Sequence, residues 1–279
     1  MKHTRYLDIF LPCRGELREI LSAELFDLGF EGIWEQDEGL HAYIPVNDHR
    51  PEALNDLLIQ YELDPNGVEV TNMEDINWNE DWEKSYDPIN VLGRCMIRAE
   101  FHPKVPGIEY DIVIQPKMSF GTGHHDSTRL IIELMLDMDM ANRSVIDVGC
   151  GTGVLAILAG KKGASPIVAI DNNRWSHENT VENAARNGVS MEVLETDIES
   201  FSGSGYAIIL SNITRNINHQ HIPKYAGMID AGGQLIMSGF FEHDFDYLNS
   251  QAIKHGFRLL KKVISDKNWI ALHYEFNGQ

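Results

Sequence analysis

The residues Val145-Ile146-Asp147-Val148-Gly149-Cys150-Gly151-Thr152-Gly153 carry an apolar strand into three alternating glycines, and an amphipathic run, Val154 to Ala159, follows them. Glycine lets the backbone turn tightly and approach a ligand with no Cβ in the way. A loop of this kind at the carboxyl end of a first strand lies in the binding crevice of an open parallel sheet. Twenty-two residues after Gly149 a second apolar run ends in Asp171, an acid placed to accept hydrogen bonds from the two hydroxyls of a ribose. Glu195-Thr196-Asp197-Ile198 ends a third strand. There Asp197 can meet the amino group of an adenine and Ile198 its ring, or Asp197 can cap a helix over 198–202. Ser211-Asn212-Ile213-Thr214 ends a fourth strand, leaving the polar amide of Asn212 at the tip of an apolar run.

The spacing of the glycines separates two ligand classes. A dinucleotide fingerprint reads G-x-G-x-x-G, whereas this loop reads G-x-G-x-G behind Asp147. That variant leaves no pyrophosphate cradle and is typical of S-adenosylmethionine-dependent methyltransferases, which places Asn212 beside the transferable methyl. Asn172 follows Asp171 and joins it as a candidate cofactor contact, as does Gly151 within the loop. Upstream, Ser119-Phe120-Gly121-Thr122-Gly123-His124-His125-Asp126-Ser127-Thr128 is a glycine-hinged loop running into a helix N-terminus. Phe120, Gly121 and Thr122 are candidate cofactor contacts, and Ser127 and Thr128 can cap the helix or bond a ligand carboxylate. No carboxylate or cysteine set at ligand spacing accompanies His124-His125, so no metal is expected. Cys150 reads as a small buried spacer, and no Ser/His/Asp or Cys/His nucleophile set is evident.

Strand-helix alternation positions these groups. Strands are expected at 144–148, 167–170, 191–195, 207–210 and 234–237. Helices are expected at 125–136, 153–161, 175–187, 216–228 and 245–255, with late strands at 258–265 and 268–275. That pattern is a Rossmann-like, mostly parallel, doubly wound α/β sheet of seven strands. Further upstream, strands at 95–101 and 111–115 flank a turn, and residues 74–90 break both periodicities. Trp78 and Trp82 share a helical face there, either packing a linker onto a domain or offering an aromatic contact to a substrate.

Residues 1–73 read differently. A strand at 5–11, a helix at 15–28 with Leu17, Ile20, Leu21, Leu25 and Leu28 in phase, strands at 32–35 and 40–46, a helix from Pro51 to Tyr61 and a strand at 68–73 follow in order. This βαββαβ sequence is the small α+β ferredoxin-like arrangement. The expected organisation is a recognition domain at 1–73, a linker at 74–90 and a methyltransferase domain at 91–279.

Charge divides the chain the same way. The 279 residues carry 23 Lys+Arg against 42 Asp+Glu, net -19, and residues 1–70 alone carry 5 against 15. An acidic chain is a poor match for nucleic acid or an anionic membrane and attracts basic partners. No apolar run reaches the ~18 residues of a membrane span, the N-terminus lacks the pattern of a signal peptide, and Cys13, Cys95 and Cys150 are too few and scattered for a disulfide framework. The expected location is cytoplasmic.

Together, Phe120–Thr128, Val145–Gly153, Asp171, Asn183-Ala184-Ala185-Arg186-Asn187-Gly188 and Ser211-Asn212-Ile213 resemble the ribosomal protein L11 methyltransferases of the PrmA type. The Asp81-Trp82 stretch is also similar. The resemblance implies binding of S-adenosylmethionine through Thr128, Gly149, Asp171 and Asn212, and N-methylation of lysine side chains or the N-terminal amine of ribosomal protein L11. It implies that the acidic N-terminal domain recognises this basic protein, free or on the large subunit. It also implies that Asn212 orients the amine, that Phe120 and its loop cover the site, and that no general base is needed. The chain departs from the family pattern at His124 and Asp126, where Thr and Pro are usual, at Thr214, where Leu is usual, and in a short 102–110 segment. A dinucleotide-dependent oxidoreductase on the same sheet would need the other glycine register and a proton relay, neither of which is apparent. A glutamine-amide methyltransferase would carry N-P-P-Y where Asn212-Ile213-Thr214 stands.

Overall fold

A computed structural model describes residues 6–13, 17–18, 21, 24–25, 28–36, 38–61, 63–72, 87–115 and 125–278. The chain divides into two compact units, Met1–Ser85 and Tyr86–Gln279. Trp78 and Trp82 lie outside the described residues.

In the first unit, β1 (Tyr6–Pro12), β2 (Gly32–Gln36), β3 (Gly39–Pro45) and β4 (Glu69–Asn72) form an antiparallel sheet in the order β2-β3-β1-β4. That is the ferredoxin-like order. Strict alternation along β1 buries Leu7, Ile9 and Leu11. They pack with Leu21 and Leu25, which are helical, and with Leu54, Leu57 and Leu58 of α1 (Pro51–Gln60). Pro51 suits the first turn of α1, where its missing N–H has no helical partner to lose.

The second unit holds a sheet of seven strands. These are β8 (Val145–Val148), β9 (Ile167–Asp171), β10 (Glu192–Glu195), β11 (Tyr206–Asn212), β12 (Ile229–Phe241), β13 (Phe257–Ile264) and β14 (Trp269–Phe276). Their order is β10-β9-β8-β11-β12-β14-β13, with β14 antiparallel to its neighbours and β8 to β12 parallel. The chain lays down β8, β9 and β10 toward one edge, then returns to place β11 on the other side of β8. The β8/β11 boundary is therefore the switch point where an open sheet leaves a crevice.

Helices cover both faces. Buried residues of α2 (Asp126–Leu136) and α3 (Val154–Lys161), such as Ile131, Met135 and Ile157, form one core with Ile208, Leu210 and Ile236. Ile222 and Tyr225 of α5 (Arg215–Met228) and Leu248 of α6 (Phe245–Lys254) form the other, with Ile209, Leu235 and Leu272. Helix α4 spans Arg174–Arg186. A separate three-stranded sheet joins β5 (Ile89–Val91), β6 (Cys95–Arg98) and β7 (Tyr110–Val113). No described helix is long and apolar enough to cross a membrane.

Two elements differ from expectation. Strand β5 begins at Ile89, inside the stretch read as a linker. Strand β12 runs 13 residues where four were expected. Gly232 takes φ +77° within the strand, a conformation open to glycine that a strand pattern does not anticipate.

Candidate active site

The glycine loop and the end of β11 meet at the switch point. Ser211 lies in register with Val148, so Asn212 stands beside Gly149. Gly149 is left-handed (φ +72°), and a Cβ there would come within 2.5 Å of Ile213 Cγ2. Gly239 (φ +100°) approaches from β12, and its Cβ would strike the Ile213 carbonyl. Ile213 is thus wedged between two strand ends that only glycine can supply.

Asn212 is 7% exposed. Its Nδ2 donates to Thr128 Oγ1 at 2.9 Å, tying β11 to the first turn of α2, and its Oδ1 has no partner among the described residues. A buried, unpaired amide oxygen costs about 1–3 kcal/mol, so this acceptor is paid for in stability and available to a ligand. Thr128 is fully buried. Ser127 does not cap the helix; His125 does, its Nδ1 accepting from Ser127 N while the ring packs edge-on against Trp269 at 4.3 Å. Burial lowers the His125 pKa and keeps the ring neutral, which lets that nitrogen accept.

Asp171 ends β9 and accepts twice, from Gly151 N and Asn173 N, both at 2.9 Å. Each carboxylate oxygen retains a lone pair for a further donor such as a vicinal diol. Asn172 is exposed, and Asn173 caps α4 by accepting from Trp175 N and Ser176 N. Asp197 accepts from Ser200 N at 2.7 Å, which holds its pKa below the usual carboxylate value; the turn it caps is not the helix expected over 198–202. Ile198 is 3% exposed and belongs to the sheet core. Phe120, Gly121 and Thr122 lie outside the described residues.

Asp147 is 1% exposed beneath the glycine loop. Its Oδ2 accepts from Ala156 N at 3.1 Å and its Oδ1 has no partner among the described residues. Burial pushes its pKa up to about 7, with the Asp171 charge adding to the effect. A raised carboxyl pKa favours the protonated folded state, so stability is fullest below the unfolded value and falls as pH rises through the folded one. Asp147→Asn removes the titration. Relative to wild type, the cofactor-free variant is expected to gain about 2 kcal/mol between pH 5 and pH 8. Urea unfolding at the two pH values measures this, and an equal difference at both would refute it.

Several supporting side chains were given no structural role from the sequence, although Asn183 and Asn187 stand in a run that carries the family resemblance. On α4, Thr180 Oγ1 donates to Gly151 O and Asn183 Nδ2 to Thr152 O, both at 2.9 Å, so the helix holds the glycine loop from below. Asn183 Oδ1 also accepts from Gln115 N, and Asn187 bonds both backbone groups of Val113. The Asn183/Asn187 motif thereby fastens the end of β7 to the glycine loop. Behind Asn212, fully buried Asn218 accepts from Ser211 Oγ and donates to the carbonyls of Ile213 and Ser238, while Ser211 also meets Tyr225 OH at 2.9 Å. The polar stripe Asn179, Thr180, Asn183, Asn187 on one helix face is the sequence signal that would have found the first group.

Cys150 is 6% exposed and burial raises its thiol pKa, which makes it inert. Among the described residues no three His, Cys, Asp or Glu form a group that could hold a metal. His219 stacks on Tyr247 at 4.0 Å, and His221 lies 3.5 Å from Glu199. The glycine cradle, the Asp171 acceptors and the unpaired Asn212 and Asp147 oxygens suit a ligand that carries a ribose and a cationic amino-acid tail, as S-adenosylmethionine does.

Known proteins resemble this chain over nearly its whole length. A family profile described as ribosomal protein L11 methyltransferase (PrmA) matches residues 18–277. A ribosomal protein L11 methyltransferase of Bacteroides fragilis is 38% identical over 98% of this chain and 99% of its own length. One from Porphyromonas gingivalis is 40% identical over 92% of this chain and 90% of its own. The crystal structure of a ribosomal protein L11 methylase from Lactobacillus delbrueckii superposes with a TM-score of 0.63 at 27% identity, over 69% of this chain and all of that one. The chain belongs to the ribosomal protein L11 methyltransferase (PrmA) family.

Proposed function

We propose that this protein transfers methyl groups from S-adenosylmethionine to amines of ribosomal protein L11, on lysine side chains, the N-terminus or both. The observation that carries the reading is the Asn212 amide, buried at the β11 tip beside the glycine loop with an acceptor oxygen unspent. When bound, the cofactor supplies an electrophilic methyl on a sulfonium, so the protein's task is to position and desolvate.

In this reading Gly149 and Gly151 give the cofactor close backbone approach and Asp171, with Asn172 beside it, receives the ribose hydroxyls. Asp197 and Ile198 border the adenine, and Asp147 and Thr128 border the amino-acid tail. Phe120, Gly121 and Thr122 cover the cleft. Asn212 Oδ1 accepts a hydrogen bond from the incoming amine and fixes its lone pair along the line of transfer. A free lysine has a pKa near ~10.4. Desolvation in the cleft favours its neutral form, and water takes the proton, so no side chain acts as general base. Residues 1–73 recognise the substrate, the stretch from 74 up to strand β5 links, and the second unit from β5 onward carries the chemistry. The 5 Lys+Arg against 15 Asp+Glu of residues 1–70 suit a basic ribosomal protein met in the cytoplasm, free or on the large subunit.

The test is tritiated-methyl transfer to ribosomes and free ribosomal proteins from a methylation-deficient strain, with mass mapping of labelled residues. Label confined to amines of L11 is the expected result. Label elsewhere, or none, would overturn the reading.

A further inference from the structure

The buried residues of α5 are Asn218, Ile222, Tyr225 and Met228, a single face turned to the sheet. Helical spacing calls for apolar side chains along such a face, yet the first of the four is an amide with no exposed surface. A buried amide is tolerated only where its hydrogen-bonding groups are satisfied. Asn218 meets that condition at one place, the tip of β11. Its Oδ1 accepts from Ser211 Oγ at 2.8 Å, and its Nδ2 donates to the Ile213 carbonyl at 2.8 Å and the Ser238 carbonyl at 3.2 Å. Both amide hydrogens are engaged, and turning the amide over would set Oδ1 against two carbonyl oxygens. Its orientation is fixed.

The three partners share one neighbour. Ser211 and Ile213 flank Asn212 in the chain, and Ser238 is its register partner on β12. Asn218 grips the residues on three sides of Asn212, while the Asn212 amide itself bonds Thr128. The gripped residues are anchored in turn. Ser211 Oγ has given its proton to Asn218, so it accepts from Tyr225 OH at 2.9 Å, and Ser238 Oγ donates to the Ile270 carbonyl of β14 at 2.7 Å. Thr128 thus holds the far end of the Asn212 side chain, and Asn218 holds the backbone from which that side chain springs. A functional group must be kept within a fraction of an ångström of its productive place, which takes both restraints.

We propose that Asn218 is a positioning residue for methyl transfer: through Ser211, Ile213 and Ser238 it sets where the Asn212 acceptor oxygen stands. The inference rests on the reading of Asn212 as the group that orients the amine, and it names the residue on which that orientation depends.

The test uses the full-length protein at saturating S-adenosylmethionine and L11. Asn218→Leu keeps a branched side chain and removes the amide, and its single-turnover rate is expected to fall about 30-fold. Ser211→Ala removes the partner of Oδ1 alone and is expected to slow the step about fivefold; it reads the same contact if Asn218→Leu does not fold. Each substitution is then placed in the Asn212→Ala background. There the group being positioned is gone, and the further loss is expected to stay within about twofold. Equal losses in both backgrounds would assign Asn218 to general stability and overturn the proposal, as would wild-type rates in the single variants. A second readout needs no turnover. NMR relaxation of the Asn212 side-chain amide, identified by its absence from the Asn212→Ala spectrum, is expected to show a rigid group in wild type and a mobile one in either variant. Equal rigidity in all three would refute the assignment. If Asn212→Ala keeps the wild-type rate, the parent reading falls on its own, and the amide measurement decides whether Asn218 positions that side chain.

Discussion

Asn212→Ala is expected to lower turnover on ribosomal protein L11 about 100-fold at saturating substrate. The side chain has two ends with separable duties. Its Nδ2 is spent on Thr128 Oγ1, which fixes the amide plane. Its Oδ1 is then held where an amine can meet it, with no competing donor among the described residues. Truncation removes the acceptor and lets the nucleophile wander, and small misplacements of a reacting atom cost rates of this order. Asn212→Asp keeps the shape but places a negative charge beside the amine. That stabilises the ammonium, raises its pKa and withholds the lone pair, so this variant should be as slow as the alanine near neutral pH and recover partly in alkali. Single-turnover rates across pH separate the two; near wild-type rates in the alanine variant would sink the assignment.

The second large effect belongs to the cofactor. Asp171→Ala is expected to weaken S-adenosylmethionine binding about 100-fold, corresponding to roughly 3 kcal/mol. The carboxylate does two jobs at once. It holds the glycine loop through Gly151 N and the start of α4 through Asn173 N, and in the proposed reading it offers its remaining lone pairs to the ribose. Asp171→Asn retains one acceptor oxygen and should fall between alanine and wild type. Isothermal titration measures all three, and cofactor affinity unchanged in the alanine variant would remove Asp171 from the site.

Sequence patterns carried the strand-helix alternation because parallel strands buried on both faces must be apolar runs, and the runs ending at Val148, Asp171 and Asn212 are. They carried the glycine spacing and Asp171 because those constraints act over short stretches. They did not carry the capping role of His125, since histidine is not among the residue types that ordinarily cap a helix N-terminus and its ring is fixed here by Trp269, 144 residues further along the chain. Nor did they carry Asn218, whose hydrogen bonds to Ser211, Ile213 and Ser238 depend on how α5 lies against β11 and β12. Buried polar residues take their meaning from partners far away in the chain. Asn183 is the plainest case, reaching Gln115, 68 residues before it, and Thr152, 31 before it.

The wedge of Ile213 between Gly149 and Gly239 has a consequence for how this family can drift. The three positions are contiguous in space although 90 residues separate the outer two in sequence. A methyl added at 149 meets Ile213 Cγ2, a side-chain atom that substitution at 213 can remove. One added at 239 meets the Ile213 carbonyl, which no side-chain change can withdraw. Epistasis at this junction is therefore lopsided: position 149 has a compensating partner for its steric cost, and position 239 has none.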